Sequence, residues 1–289
     1  WVQSIGERAT MLDGGNAVGY WNYLMGRHVL TGESQEEAMN VLYGHNVTHF
    51  LIDATDIGKY SAYSSIGSDE NSDRFSWIGT FLMDERQTQE TKETETYVYP
   101  GGIAFDEDIL IKNNNKDLLL PRLRTGVGAI IIQKDKSGEY LQPEIISVYN
   151  RVQYKLPLRY LFLEGELIDF GNEKENTLEA GAFVFPRITS DSRLNTIGAA
   201  LYLSPKNMKT VWVNLYLLEK EDNFKLVHTE PSSVHTQYLI PNNVQVGDFV
   251  YFRGIQGPIK IWEINYPLNQ KSYPEYIQEE FPEELLSRK

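Results

Sequence analysis

Residues 47–78, VTHFLIDATDIGKYSAYSSIGSDENSDRFSWI, constrain this chain more than any other stretch. Val47 to Ile52 reads as a buried strand, an apolar run interrupted only by Thr48 and His49. Small and acidic residues end it: Asp53, Ala54, Thr55 and Asp56. Lys59 comes three residues after Asp56, and Tyr63 four residues after Lys59. A polar segment with Gly67 and several serines then leads to Phe75 and Trp77. A strand that carries an Asp and a Lys into a strand-to-helix turn is a common way to build a site on a rigid scaffold.

The neighbouring residues read as helices. Ser34 is a good N-cap for a helix over 33–46, with Glu36 and Glu37 in the first turn where the helix dipole favours anions. Ala38, Val41 and Leu42 form its apolar stripe, and Gly44 is its expected stop. Upstream, Tyr20, Trp21, Leu24 and Met25 fall near helical spacing, with Gly32 as the stop. Asp13-Gly14-Gly15-Asn16 is a turn signal and not a phosphate loop, since no Gly-Lys-Ser follows. Asn46-Val47-Thr48 is the only Asn-x-Ser/Thr triplet in the chain. Its place at the start of a strand read as buried counts against its being modified.

Beyond the first unit the pattern changes. Residues 84–98, DERQTQETKETETYV, are charged and without periodicity and read as a solvated loop. From Tyr97 onward turn signals multiply: Pro100-Gly101-Gly102, Asn113-Asn114-Asn115 and Lys136-Ser137-Gly138. The β-rich runs between them, including Val127–Lys134 and Ile145–Arg151, predict antiparallel strands. Asp106, Glu107 and Asp108 lack the alternating oxygens of a calcium loop and read as a solvated turn. Residues 198–218 return to a helical pattern, with Ser204 as cap and Pro205 at the first position. Strands are expected at Phe224–His228, Phe249–Arg253 and Ile259–Tyr266. The acidic tail EYIQEEFPEELLSRK reads as frayed or as a short helix.

The reading is therefore α+β. A mixed α/β core (1–98) is followed by a β-rich insertion (99–195), and 196–289 returns to the core with a helix and further strands.

Composition excludes several functions. With 40 acidic and 27 basic residues the net charge is −13, which disfavours nucleic acid, because phosphate binding needs clustered Lys and Arg. There is no cysteine, so thiolate catalysis and Cys-type metal sites are out. No run approaches the roughly 20 apolar residues of a membrane span, and no signal peptide is visible. A chain that begins at Trp1, apolar from the start, reads as an excised piece of something longer. The five histidines, at 28, 45, 49, 228 and 235, show no paired-ligand spacing. No Ser/His/Asp arrangement stands out.

Spacing alone leaves two readings of Asp56-Ile57-Gly58-Lys59. One is an Asp cap with an i, i+3 ion pair. The other is an Asp and a Lys held at a strand end to meet a polar ligand.

Trp1 to Trp77 resembles the soluble C-terminal domain of the archaeal oligosaccharyltransferase catalytic subunit. The segments VQSIGERATMLDGGN and WNY carry part of the likeness. That family's domain opens on a Trp-Trp-Asp-Tyr-Gly motif, and Trp1 matches the tryptophan just after it. Its second motif is Asp-x-x-Lys, three residues, then a hydrophobic one, which Asp56, Lys59 and Tyr63 match. Weaker likeness extends to SPKNMKTVWVNLYLLEKEDNFKLVH and GPIKIWEINYP.

The resemblance implies a domain on the extracellular face of a multi-pass membrane protein. The whole enzyme moves an oligosaccharide from a dolichyl-phosphate-type lipid to the Asn of Asn-x-Ser/Thr in an acceptor polypeptide. Mn²⁺ or Mg²⁺ and the catalytic carboxylates would come from the transmembrane region of the same polypeptide, so no catalytic or metal residue is expected in this chain. Asp56 and Lys59 would provide polar walls for the residue at +2, and Tyr63 an apolar contact to a Thr methyl. The alternative is a secreted β-rich module that binds glycan or protein without catalysis.

Overall fold

The computed structural model describes residues 3, 5–12, 18–114, 116–220, 222–241 and 247–286. Trp1 and the Asp13-Gly14-Gly15-Asn16 turn lie outside them. The chain is α+β and divides into two compact units. The first holds residues 1–77, 209–229 and 259–289, and the second 78–208 and 230–258. The chain thus passes between units at 77/78, 208/209, 229/230 and 258/259, whereas the sequence divided it at 98/99 and 195/196. No helix among the described residues is long and apolar enough to cross a membrane.

The first unit is built from helices and a small sheet. Helix α1 (Gly19–Leu24) runs directly into a π-helical turn, Met25–Leu30. Helix α2 (Gln35–Gly44) starts as its sequence dictates: the Ser34 hydroxyl accepts from the Glu37 N–H at 3.2 Å, and the Glu37 carboxylate accepts from the Glu33 N–H at 3.0 Å. Ala38, Val41 and Leu42 are buried. Strand β1 (His49–Ile52) pairs antiparallel with the strand Ile259–Ile264, which also carries Phe224–Glu230.

β1 is shorter than expected and buries only one face. Phe50 and Ile52 point inward, while His49 and Leu51 are exposed. A small sheet with one covered face gives a strand that alternates. Helix α3 (Thr55–Ile66) follows, with Ile57, Tyr60 and Ser64 buried. The Tyr60 and Trp212 rings meet edge-on at 5.6 Å. The tail holds two short helices, Pro274–Ile277 and Glu283–Leu286, and is docked at the first. His45 Nε2 lies 2.8 Å from the Tyr276 carbonyl, and the Trp21 indole N–H donates to the Gln278 carbonyl at 2.8 Å.

The second unit is dominated by an eleven-stranded sheet. Its path runs 255–256, 250–251, 178–188, 152–163, 144–149, 126–135, 94–104 and 89–90. Leu194–Leu203 pairs with 178–188 and with Gly79–Leu82. The core beneath includes Phe81, Tyr99, Ile130, Leu156 and Leu161.

Five sequence expectations fail here for identifiable reasons. The strand Thr94–Ala104 begins inside the segment read as loop, because alternating Thr and Tyr suit a half-solvated strand. Pro100-Gly101-Gly102 is a register shift within that strand and not a turn. Residues 198–203 belong to a strand buried on both faces, an unbroken apolar run that periodicity cannot tell from a buried helix. Helix begins only at Pro205, where Ser204 and Asn207 cap one another. Finally, strands 152–163 and 178–188 are parallel. The connection between them is long enough for the crossover such a pair requires. Asp106, read as solvated, is buried and accepts from the Ser204 hydroxyl at 2.5 Å.

Candidate functional site

The candidate site is the first half of α3, where it leaves β1. Asp53 ends the strand and caps the helix. Its Oδ1 accepts from the Thr55 N–H at 2.7 Å and from the Thr55 hydroxyl at 2.5 Å. Asp56 reaches back, its Oδ2 accepting from the Asp53 N–H at 3.2 Å. The two acids thus cap reciprocally and satisfy backbone donors that the first turn leaves open. The cap is Asp53, one turn earlier than the Asp56 cap read from the sequence.

Thr55, Asp56, Lys59 and Tyr63 then share one helix face, since residues three, four and seven apart line up. Lys59 Nζ donates to the Thr55 hydroxyl at 2.8 Å and to Asp56 Oδ1 at 3.3 Å. The Tyr63 hydroxyl donates to the same Oδ1 at 2.7 Å. The Asp56 side chain is 18% exposed and that of Lys59 53%. Burial, then the hydrogen bond to Asp56 and its charge, push the Tyr63 phenol well above its ordinary range. It therefore remains a donor at neutral pH.

Asp56, Lys59 and Tyr63 are brought together, as their spacing requires. Tyr63 differs from its sequence reading: its hydroxyl is tied to Asp56, so the residue is a polar clasp as well as an apolar surface. An ammonium carries three N–H donors. Two of those on Lys59 are used within the helix, and the third, beside a carboxylate, can meet a hydroxyl as donor while the carboxylate accepts.

The helix is held at its far end by backbone contact. A Cβ on Gly67 would lie 2.4 Å from the Arg27 nitrogen, and one on Gly26 would lie 2.6 Å from the Tyr63 carbonyl oxygen. Glycine is needed at both because two backbones touch. Ser64 donates to the Ser76 carbonyl at 2.8 Å and accepts from the Ser76 N–H at 3.1 Å. Arg27 grips Asp73 through its two terminal guanidinium nitrogens, at 3.1 and 2.8 Å, and donates to the Gly67 carbonyl at 3.0 Å. Arg74 binds Glu33, Glu37 and the Thr31 carbonyl.

Sequence reasoning did not find Arg27, Asp73 or Arg74. Their contacts span 37 to 46 residues, and no local pattern encodes such pairs. Asp53 and Thr55 stood in plain view, and their capping role follows from their position before an apolar helical stripe.

The site does not fit a divalent metal. Among the described residues no group of three or more His, Asp or Glu is placed to hold one. Asp53 and Asp56 have their oxygens turned to backbone, hydroxyl and ammonium donors.

No protein-family model and no curated protein sequence matches the chain. A solved structure, that of the C. jejuni PglB C-terminal domain, is similar at a TM-score of 0.37 and 10% identity, over 92% of this chain and 88% of that one. At that level no residue role passes from one chain to the other.

Proposed function

We propose that this chain is the acceptor-recognition domain of an oligosaccharyltransferase, displayed on the extracellular face of the membrane. The observation that carries this reading is the convergence of Lys59 Nζ and the Tyr63 hydroxyl on Asp56 Oδ1 at the mouth of β1. These are the residues of the Asp-x-x-Lys motif. The remaining donor and acceptor capacity of the Asp56–Lys59 pair matches a Ser or Thr hydroxyl two residues after the accepting Asn. A buried donor or acceptor left unpaired costs about 1–3 kcal/mol. Once a bound peptide covers the pair and excludes water from it, a side chain lacking the hydroxyl is rejected by about 5- to 150-fold.

The partners in this reading are an acceptor polypeptide, a lipid-linked oligosaccharide and the transmembrane region of the same polypeptide. The Mn²⁺ or Mg²⁺ site and the catalytic carboxylates belong to that region. The chain's own residues bind and orient the peptide.

The competing reading of the same atoms is structural. The 3.3 Å ion pair and the Thr55 bond to Lys59 belong to an ordinary helix start. Lys59→Ala in the full-length enzyme separates the two. The recognition reading expects a raised KM or lowered kcat/KM for the peptide at an unchanged fold. Full activity with a lower melting temperature would leave only the helix cap.

A further inference from the structure

The triplet Asn46-Val47-Thr48 is left unused by the site above. Its position is not the buried strand start that the sequence predicted. Asn46 and Thr48 are exposed, and β1 begins only at His49. Asn46 lies two residues past the end of α2 with φ +54°, its N–H donating to the Tyr43 carbonyl at 3.1 Å. Its side-chain amide has no hydrogen-bond partner among the described residues. The Thr48 hydroxyl is 2.9 Å from Nδ1 of His49, its exposed neighbour.

We propose that Asn46 is an N-glycan acceptor, so that the chain is itself a substrate of glycan transfer. This goes beyond the recognition role and rests on the extracellular placement proposed above. An Asn-x-Thr triplet is the acceptor pattern, and exposure is the condition for carrying the product. In the transfer, Asn46 Nδ2 bonds to the anomeric carbon of a lipid-phosphate-linked oligosaccharide. The anomeric C–O bond to phosphate breaks, its electron pair leaves with the phosphate, and one Nδ2 proton passes to base.

The folded backbone limits when this happens. The Val47 carbonyl accepts from the Tyr266 hydroxyl at 2.6 Å, and the Thr48 carbonyl from the Ile264 N–H at 3.0 Å. These bonds hold the triplet once the sheet has closed, so the transfer precedes closure. The finished site directs the glycan to solvent.

Asn46 has another explanation that the test must separate. Asn tolerates the left-handed conformation that closes a helix, and that accounts for Asn46 without Thr48. The chain is therefore secreted from a cell that N-glycosylates its exports, and its intact mass is read before and after an enzyme that releases N-glycans. One glycan's mass on the parent is expected, kept by Thr48→Ser and lost by both Asn46→Gly and Thr48→Val. Asn46→Gly keeps the helix close and so folds. A parent chain at its bare polypeptide mass overturns the proposal, as does a glycan that survives Asn46→Gly.

Discussion

At Asp56 one carboxylate serves two structures. Its Oδ2 closes the turn onto Asp53, and its Oδ1 collects Lys59 and Tyr63. The Lys59 contribution to stability is small, because an exposed helical pair is worth about 0.3–0.5 kcal/mol. Lys59→Ala should thus move the melting temperature by no more than about 1–2 °C, read by calorimetry. Tyr63→Phe removes one of the two donors to Asp56 Oδ1 and should cost about 0.5–1.5 kcal/mol in urea unfolding. A cost indistinguishable from zero would mean that the Tyr63 bond is made equally well by water.

Asp73 offers a pH test. Burial alone would raise its pKa, but the hydrogen bonds from Arg27 and from the Asp69 N–H, with the Arg27 charge, outweigh burial and hold it down to about 2 from its ordinary 3.8. A carboxylate whose folded value lies below its unfolded one stabilises the fold above the unfolded value. That stability is lost as pH falls from about 4 to about 2. Asp73→Asn should therefore lower the urea midpoint at pH 7 and narrow the gap to the parent at pH 2. A gap constant with pH would show that Arg27 does not depend on the charge of Asp73.

At the scale of elements, α2 was legible to its cap, because Ser34 and the acids behind it act within one turn. So was the cluster on α3, since helical spacing alone aligns residues 56, 59 and 63. The Ser64–Asp73 segment offers Ile66 as its one large apolar side chain. Its anchors are polar instead: Ser64 to Ser76, and Asp73 to Arg27. The two glycines that let α3 meet the π-helical turn were equally hidden, since close backbone approach depends on the partner. Gly67→Ala should cost about 1–3 kcal/mol by overpacking and shift the α3 face with it. In amide exchange the loss of protection should extend from residue 67 back into α3. Loss confined to 67–73 would mean that the helix is positioned by its own cap.

For the whole molecule, the sequence conveyed the α+β class and a β-rich middle, but not how the chain is shared between units. The strands at 94–104 and 194–203 were misread because a Thr-rich strand resembles a loop and a doubly buried strand resembles a core helix. The parallel pairing of 152–163 with 178–188 is a matter of topology and leaves no local mark. If the chain supplies only acceptor recognition, then incubation with lipid-linked oligosaccharide, Mn²⁺ and an Asn-x-Thr peptide should yield no glycopeptide. Turnover by the chain alone would contradict that division of labour.

The most direct test of the recognition site compares Lys59→Ala with its parent in the full-length enzyme, using acceptor peptides that differ only at +2. With Thr at +2 the parent should be about 5- to 150-fold more efficient than with Val, which keeps the shape and lacks the hydroxyl. In Lys59→Ala that preference should collapse toward unity while the melting temperature stays within about 1–2 °C. An unchanged Thr-over-Val ratio would contradict the account and leave Lys59 as part of a helix cap.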